Sequence, residues 1–265
     1  MRRHQLTVLA VLVLALPSPA SAEPWYRGRH GNNRVLHLSI STGLGVAYLA
    51  SETVLKPSLA PDSCRWCSPP GIDVSVRDSL LWRDTESARL FSHLTGYVAV
   101  PVMGIGITAL TALSAEDASW GRLIDDTIPI FETVAISQMV TQIAKWSLAR
   151  QRPFVHYGSS EPDQDDNMSF WSGHSALAFG VTTSAGMVAH WRGSASEPFI
   201  WGIGLPLSAA AGYFRIAGDK HYFTDVVTGA VVGVAAGLTI PRLMRRRGDV
   251  MLVPQDRGAA IVGSF

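Results

Sequence analysis

Ser169-Phe-Trp-Ser172-Gly173-His174-Ser175-Ala176 opens a weakly polar run over 173–191, and it reads as the start of a helix. Ser172 is suited to cap the first turn and Gly173 lets the backbone approach another atom closely. The unpaired N–H groups and positive dipole end of such a terminus form a ready anion site. His174 then stands over that anion, where an imidazolium can donate a proton. Upstream, Lys145-Trp-Ser-Leu-Ala-Arg-Gln-Arg152-Pro153 closes another weakly polar run. Its Lys145 and Arg152 are spaced to project from one helix face, a point charge and a bidentate fork for phosphate. Downstream, Arg215-Ile-Ala-Gly-Asp-Lys-His221-Tyr-Phe-Thr-Asp225 adds a third cation. Its His221 and Asp225, at i and i+4, fall on successive helical turns. There the carboxylate fixes one imidazole nitrogen and raises the nucleophilicity of the other.

Beyond these segments the chain is organised by long, weakly polar runs over 35–55, 90–113, 124–149, 173–191, 199–217 and 224–244. They are rich in Gly, Ala, Ser and Thr, the composition of helices packed closely against one another. Gly229, Gly233 and Gly237 form a ladder of small residues on the last run, and Ala176, Gly180 and Ser184 form another on the fourth. Gln138, Gln142 and Lys145 share one helical face, which lines either a bundle interior or a cleft.

Composition agrees with a bundle in a membrane. Of 265 residues, 47% are hydrophobic and only 16% charged, against about 25% charged in an ordinary soluble domain. A net charge of +1 supplies no basic field, which sets nucleic acid aside as a partner. Met1-Arg2-Arg3-His4, the apolar run Leu6 to Leu16, Pro17 and Ala20-Ser21-Ala22 read as an export signal over 1–22. Four arginines, Arg242 and Arg245 to Arg247, mark the far end of the last run as cytoplasmic. Counting back gives five crossings, with 35–55 lying beside the bundle and the 150–172 and 218–223 connections, which carry the three motifs, outside.

Cys64 and Cys67 sit among prolines in an exported chain, which favours a local disulfide over a redox or zinc site. The acidic run Glu161-Pro-Asp163-Gln-Asp165-Asp166-Asn167 lacks the glycine and terminal Glu of a calcium loop and reads as a solvated loop at the pocket mouth. Two short extended pieces around a turn make up the tail, Val250-Met-Leu-Val-Pro and Ala259-Ala-Ile-Val-Gly-Ser-Phe.

Lys-x6-Arg-Pro, Ser-Gly-His and Arg-x5-His-x3-Asp, in this order and at helix ends, resemble the type 2 phosphatidic acid phosphatase superfamily, which includes class A acid phosphatases and vanadium haloperoxidases. The resemblance spans roughly 90–244. Trp171 stands where the family usually has Pro, and Phe214 where it usually has Ser. The resemblance implies an all-α bundle of about five or six core helices, with an N-terminal segment over 23–89 and a tail over 245–265. It implies a phosphatase in which His221 attacks phosphorus, Asp225 orients it and His174 handles the proton. Lys145, Arg152, Ser172, Gly173 and Arg215 bind phosphate. No metal or cofactor is implied, because three cations and a helix end already supply positive field. The expected substrate is a lipid phosphate or pyrophosphate, met at the periplasmic face of a bacterial inner membrane. A soluble periplasmic acid phosphatase and a vanadate-dependent haloperoxidase are the alternatives.

Overall fold

The computed structural model describes residues 30–158, 163–246, 250–255 and 258–263. The export signal expected over 1–22 lies outside the described residues, as does Glu161 of the acidic run.

The chain forms a helical bundle. Helix α1 runs over His30–Thr53, followed by short helices α2, Lys56–Leu59, and α3, Gly71–Leu80. Helix α4, Thr85–His93, continues through π-helical turns at Leu94–Ala99 and Val102–Gly106 into α5, Ile107–Leu113. Then come α6, Trp120–Leu148; α7, Pro153–His156; α8, Gly173–Trp191; α9, Glu197–Ala217; and α10, Phe223–Arg246. The expected runs match these elements closely because their small and apolar stretches end at strong capping and turn residues. Asp84 accepts from the Ser87 N–H to start α4, and Ser119 accepts from the Arg122 N–H to start α6. Helix α3 was not expected. The extended pieces of the tail pair as an antiparallel hairpin, β1, Val250–Gln255, with β2, Gly258–Gly263.

Helix α8 is the central post, packed against α6, α9 and α10. Val100, Met103, Ile130, Val181 and Ile200 belong to the main apolar core around it. The two small-residue ladders prove to be opposite sides of one seam. A Cβ on Gly229 would stand 2.4 Å from the Ser172 carbonyl oxygen, and one on Gly233 would stand 2.4 Å from that of Ala176. These contacts are with backbone, which cannot turn aside as a flexible side chain can. Gly233→Ala is therefore expected to destabilise the fold by about 3 kcal/mol through overpacking, read as a lowered unfolding midpoint in detergent. An unchanged midpoint would show that the seam yields.

Three helical segments are long and apolar enough to cross a membrane among the described residues: Thr85–Leu113, Glu197–Ala217 and Phe223–Met244. Five had been expected. Helix α6 carries Arg122, Asp125, Asp126, Glu132 and Lys145. Its polarity is directed into the bundle: Arg34 on α1 forms a two-pronged pair with Asp125 at 2.7 and 2.8 Å, and His37 meets Glu132 at 2.7 Å. Helix α8 is enclosed by its neighbours, with Thr182, Thr183 and Ser184 buried at its middle. Helix α6 nonetheless turns Phe131, Val140, Ile143 and Leu148 outward.

Candidate active site

The sequence segments converge because α6 and α9 end where α8 and α10 begin. At this end of the bundle the chain gathers Lys145, Arg152, Arg215, His174 and His221, all but inaccessible to solvent.

The first motif reaches the site by a different route from the one its spacing suggests. Helix α6 stops at Leu148, and Ala149 adopts a left-handed conformation with φ 44°. The chain then runs alongside the Cys64–Cys67 loop: Arg65 N–H donates to the Ala149 carbonyl, and Gln151 N–H to that of Trp66, both at 3.0 Å. Lys145 and Arg152 thus do not share a helical face; Arg152 precedes the short α7. Its guanidinium donates to the carbonyls of Asp165 at 2.8 Å and Lys220 at 2.9 Å, and lies 3.3 Å from His221 Nε2. Cys64 and Cys67 are joined by a disulfide.

The second motif behaves as its residues suggest. Ser172 caps α8, its hydroxyl accepting from the Ser175 N–H at 3.3 Å. Gln138 donates to the Gly173 carbonyl at 2.9 Å, so the polar face of α6 lines the site. Trp171 uses its indole N–H to reach Thr141 at 2.7 Å. His174 Nε2 lies 3.1 Å from Nδ1 of His93, and its Nδ1 lies 3.5 Å from the Tyr97 hydroxyl. His93 and Tyr97 were not anticipated; neither belongs to a motif.

In the third motif, His221 lies just before α10 rather than on it, so the pair is not stacked on successive turns. Asp225, in the first turn, reaches back instead. Its Oδ2 accepts from the Tyr222 N–H at 2.9 Å and the Ser169 hydroxyl at 2.6 Å. The same oxygen stands 3.5 Å from His221 Nδ1, an electrostatic contact without hydrogen-bond alignment. His221 thereby turns Nε2 toward Arg152. Burial, reinforced by Arg152, Arg215 and Lys145, holds the His221 imidazole well below the ordinary histidine range. It is therefore neutral, with a lone pair available, throughout the neutral pH range. Phe214 is directed away to the aromatic cluster of Trp82 and Phe91, at ring separations of 5.7 and 5.5 Å.

Around these cations stands a second set of charges. Lys56 pairs with Asp165 at 2.5 Å and with Glu52 at 3.4 Å, while Glu52 lies 3.9 Å from Lys145. The acidic loop is thus at the mouth but not simply solvated. Burial would raise the Asp165 carboxyl, but Arg152 and Lys56 outweigh it and hold the group below the usual carboxylate range. Lys220, whose ammonium lies 4.1 Å from the Phe154 ring centre, is lowered to about 8 by burial and by Arg152 and Arg89. An apolar groove of about 650 Å³ approaches the cluster between α1, α6 and the π-helical turn. Leu38, Leu49, Phe131 and Leu177 line it, and Glu52, Tyr97 and Gln138 mark its polar end.

This constellation agrees with what the chain is similar to. Residues 126–249 match the family model described as the PAP2 superfamily. Over 120 residues it is 28% identical to a lipid A 1-phosphatase of Porphyromonas gingivalis, covering 45% of this chain and 23% of the relative. It is 25% identical over 132 residues to phospholipid phosphatase 1 of Rattus norvegicus, covering 39% of this chain and 46% of the relative. The chain thus spans less than half the length of either curated relative. A transmembrane PAP2-type phosphatidylglycerolphosphate phosphatase from Bacillus subtilis shares the fold, with a TM-score of 0.50 and 16% identity, over 77% of this chain and 96% of that one.

Proposed function

We propose that the protein is a phosphatase that hydrolyses a lipid phosphate or diphosphate through a phosphohistidine. The observation that carries this reading is His221, its Nδ1 set against Asp225 and its Nε2 turned into a cluster of Arg152, Arg215 and Lys145. A neutral imidazole facing concentrated positive charge is suited to attack a phosphoryl group whose oxygens those cations hold. Nε2 forms a bond to phosphorus as the bond to the leaving oxygen breaks, and His174 gives that oxygen its proton. Water then attacks phosphorus, His174 takes a water proton, and the P–N bond breaks to release phosphate and restore His221. Arg152, Arg215, Lys145, Ser172 and the Gly173 N–H stabilise the equatorial oxygens.

A lipid substrate is supported by the apolar groove that ends beside Tyr97 and Gln138, and by the names of both curated relatives. The periplasmic side is supported by the arginines Arg242 and Arg245 to Arg247, which close the last apolar run of the sequence, and by the disulfide, which belongs to an oxidising compartment. Purified protein in detergent, offered phosphatidate, a polyprenyl diphosphate, lipid A and water-soluble phosphate esters, should release phosphate fastest from one of the lipids. EDTA should leave that rate unchanged, since cationic side chains do the work a metal would do. Preference for the soluble esters would overturn the lipid assignment.

A further inference from the structure

Arg150 lies between the motif residues Lys145 and Arg152, belongs to no motif, and is the most deeply enclosed cation in the neighbourhood, with 1% of its surface exposed. A charge so buried is tolerated only when its partners are well placed. Nη1 donates to Asp225 Oδ1 at 2.5 Å and to the Thr224 hydroxyl at 2.8 Å, and Nη2 donates to Asp73 Oδ2 at 2.6 Å. The guanidinium carbon lies 3.9 Å from the ring centre of Trp66 and 4.4 Å from that of Tyr222. Asp73, on α3, is itself fixed: it accepts from the Thr224 N–H at 2.8 Å and the Thr224 hydroxyl at 2.7 Å, which closes the start of α10.

Between them, Arg150, Ser169 and the Tyr222 N–H hold both oxygens of Asp225. Resting on the phosphohistidine reading, we propose that Arg150, clamped by Asp73, is a positioning residue. It fixes Asp225 and so holds His221 in the tautomer that presents Nε2 to phosphorus. Arg150 also offsets the charge of Asp225. Uncompensated, that carboxylate would draw a proton onto His221 and remove the nucleophile. The other charged or titratable groups acting on His221 are Arg152, Arg215, Lys145 and His174. All of them oppose protonation, whereas Asp225, released from Arg150, would favour it.

The full chain, labelled with nitrogen-15 at histidine and held in detergent, supplies the test. In Arg150→Gln the His221 titration should rise by about one pH unit, and the acid limb of kcat/KM should move with it. By analogy with partners one step removed from a reacting group, kcat should fall about 10- to 100-fold. KM should hold, because Arg150 does not reach the phosphate cations. Arg150→Lys keeps the charge and should return the titration toward wild type. Should Arg150→Gln fail to fold, Asp73→Asn removes the clamp while preserving shape and should likewise lower kcat at constant KM. A His221 titration identical in wild type and Arg150→Gln, or a change in KM alone, would overturn the proposal. Wild-type protein that released no phosphate from any ester would instead defeat the phosphatase reading, and the titration would still decide the coupling.

Discussion

His221→Ala is expected to abolish phosphate release, lowering kcat by roughly four to six orders of magnitude, the scale seen when a covalent nucleophile is removed. Arg152, Arg215 and Lys145 are cationic and offer no lone pair to replace it. The cations that hold phosphate would remain, so the variant should still bind the substrate at nearly wild-type affinity. Acid quenching of wild type during turnover should trap a phosphoryl group on His221, and the variant should trap none. The wild-type pH profile follows from the same geometry. Protonation of His221 removes its lone pair, and burial with Arg152 and Arg215 places that event below the ordinary histidine range. Activity limited by this group should therefore persist to lower pH than a solvent-exposed histidine, near 6.5, would allow. Turnover by His221→Ala within tenfold of wild type would sink the mechanism.

The second large effect belongs to His174. On a lipid monoester the leaving group is an alkoxide that needs a proton, so His174→Ala should cost about 10²- to 10⁴-fold in kcat. An aryl ester such as p-nitrophenyl phosphate departs without that proton. The variant should then release a burst of nitrophenol, one per chain, followed by slow hydrolysis of the phosphoenzyme, for which His174 is the base. A lipid reaction that survives the substitution, or an aryl reaction with no burst, would rule out the acid–base role.

Much of this was legible from the residues alone. Helix boundaries were readable because the small-residue runs end at Ser119, Ser172 and the Pro153 turn. The gathering of the three segments was readable from their joint pattern, since cations, a Ser-Gly cap and a His with a nearby Asp are each common alone and rare together in this order. What failed to show were partners brought in from far along the chain. Asp73, His93, Glu52 and Lys56 are ordinary surface-type residues in sequence, and only packing of α1 to α4 against the motif-bearing ends delivers them. The shared helical face of Lys145 and Arg152 was a sound inference from spacing, undone by the left-handed Ala149. The same turn lays Arg150 on Trp66, a contact that no local pattern encodes.

The seam between α8 and α10 has one further consequence. Because Gly229 and Gly233 set the two backbones in direct contact, the helix bearing Ser172 and His174 and the helix bearing Asp225 behave as one stiff floor. Under the proposed function, whatever adjusts to substrates of different size belongs to the rim, where α2 and the 163–168 loop meet through Lys56 and Asp165. Changes of substrate range should therefore accumulate along the rim, while the floor preserves the chemistry unaltered.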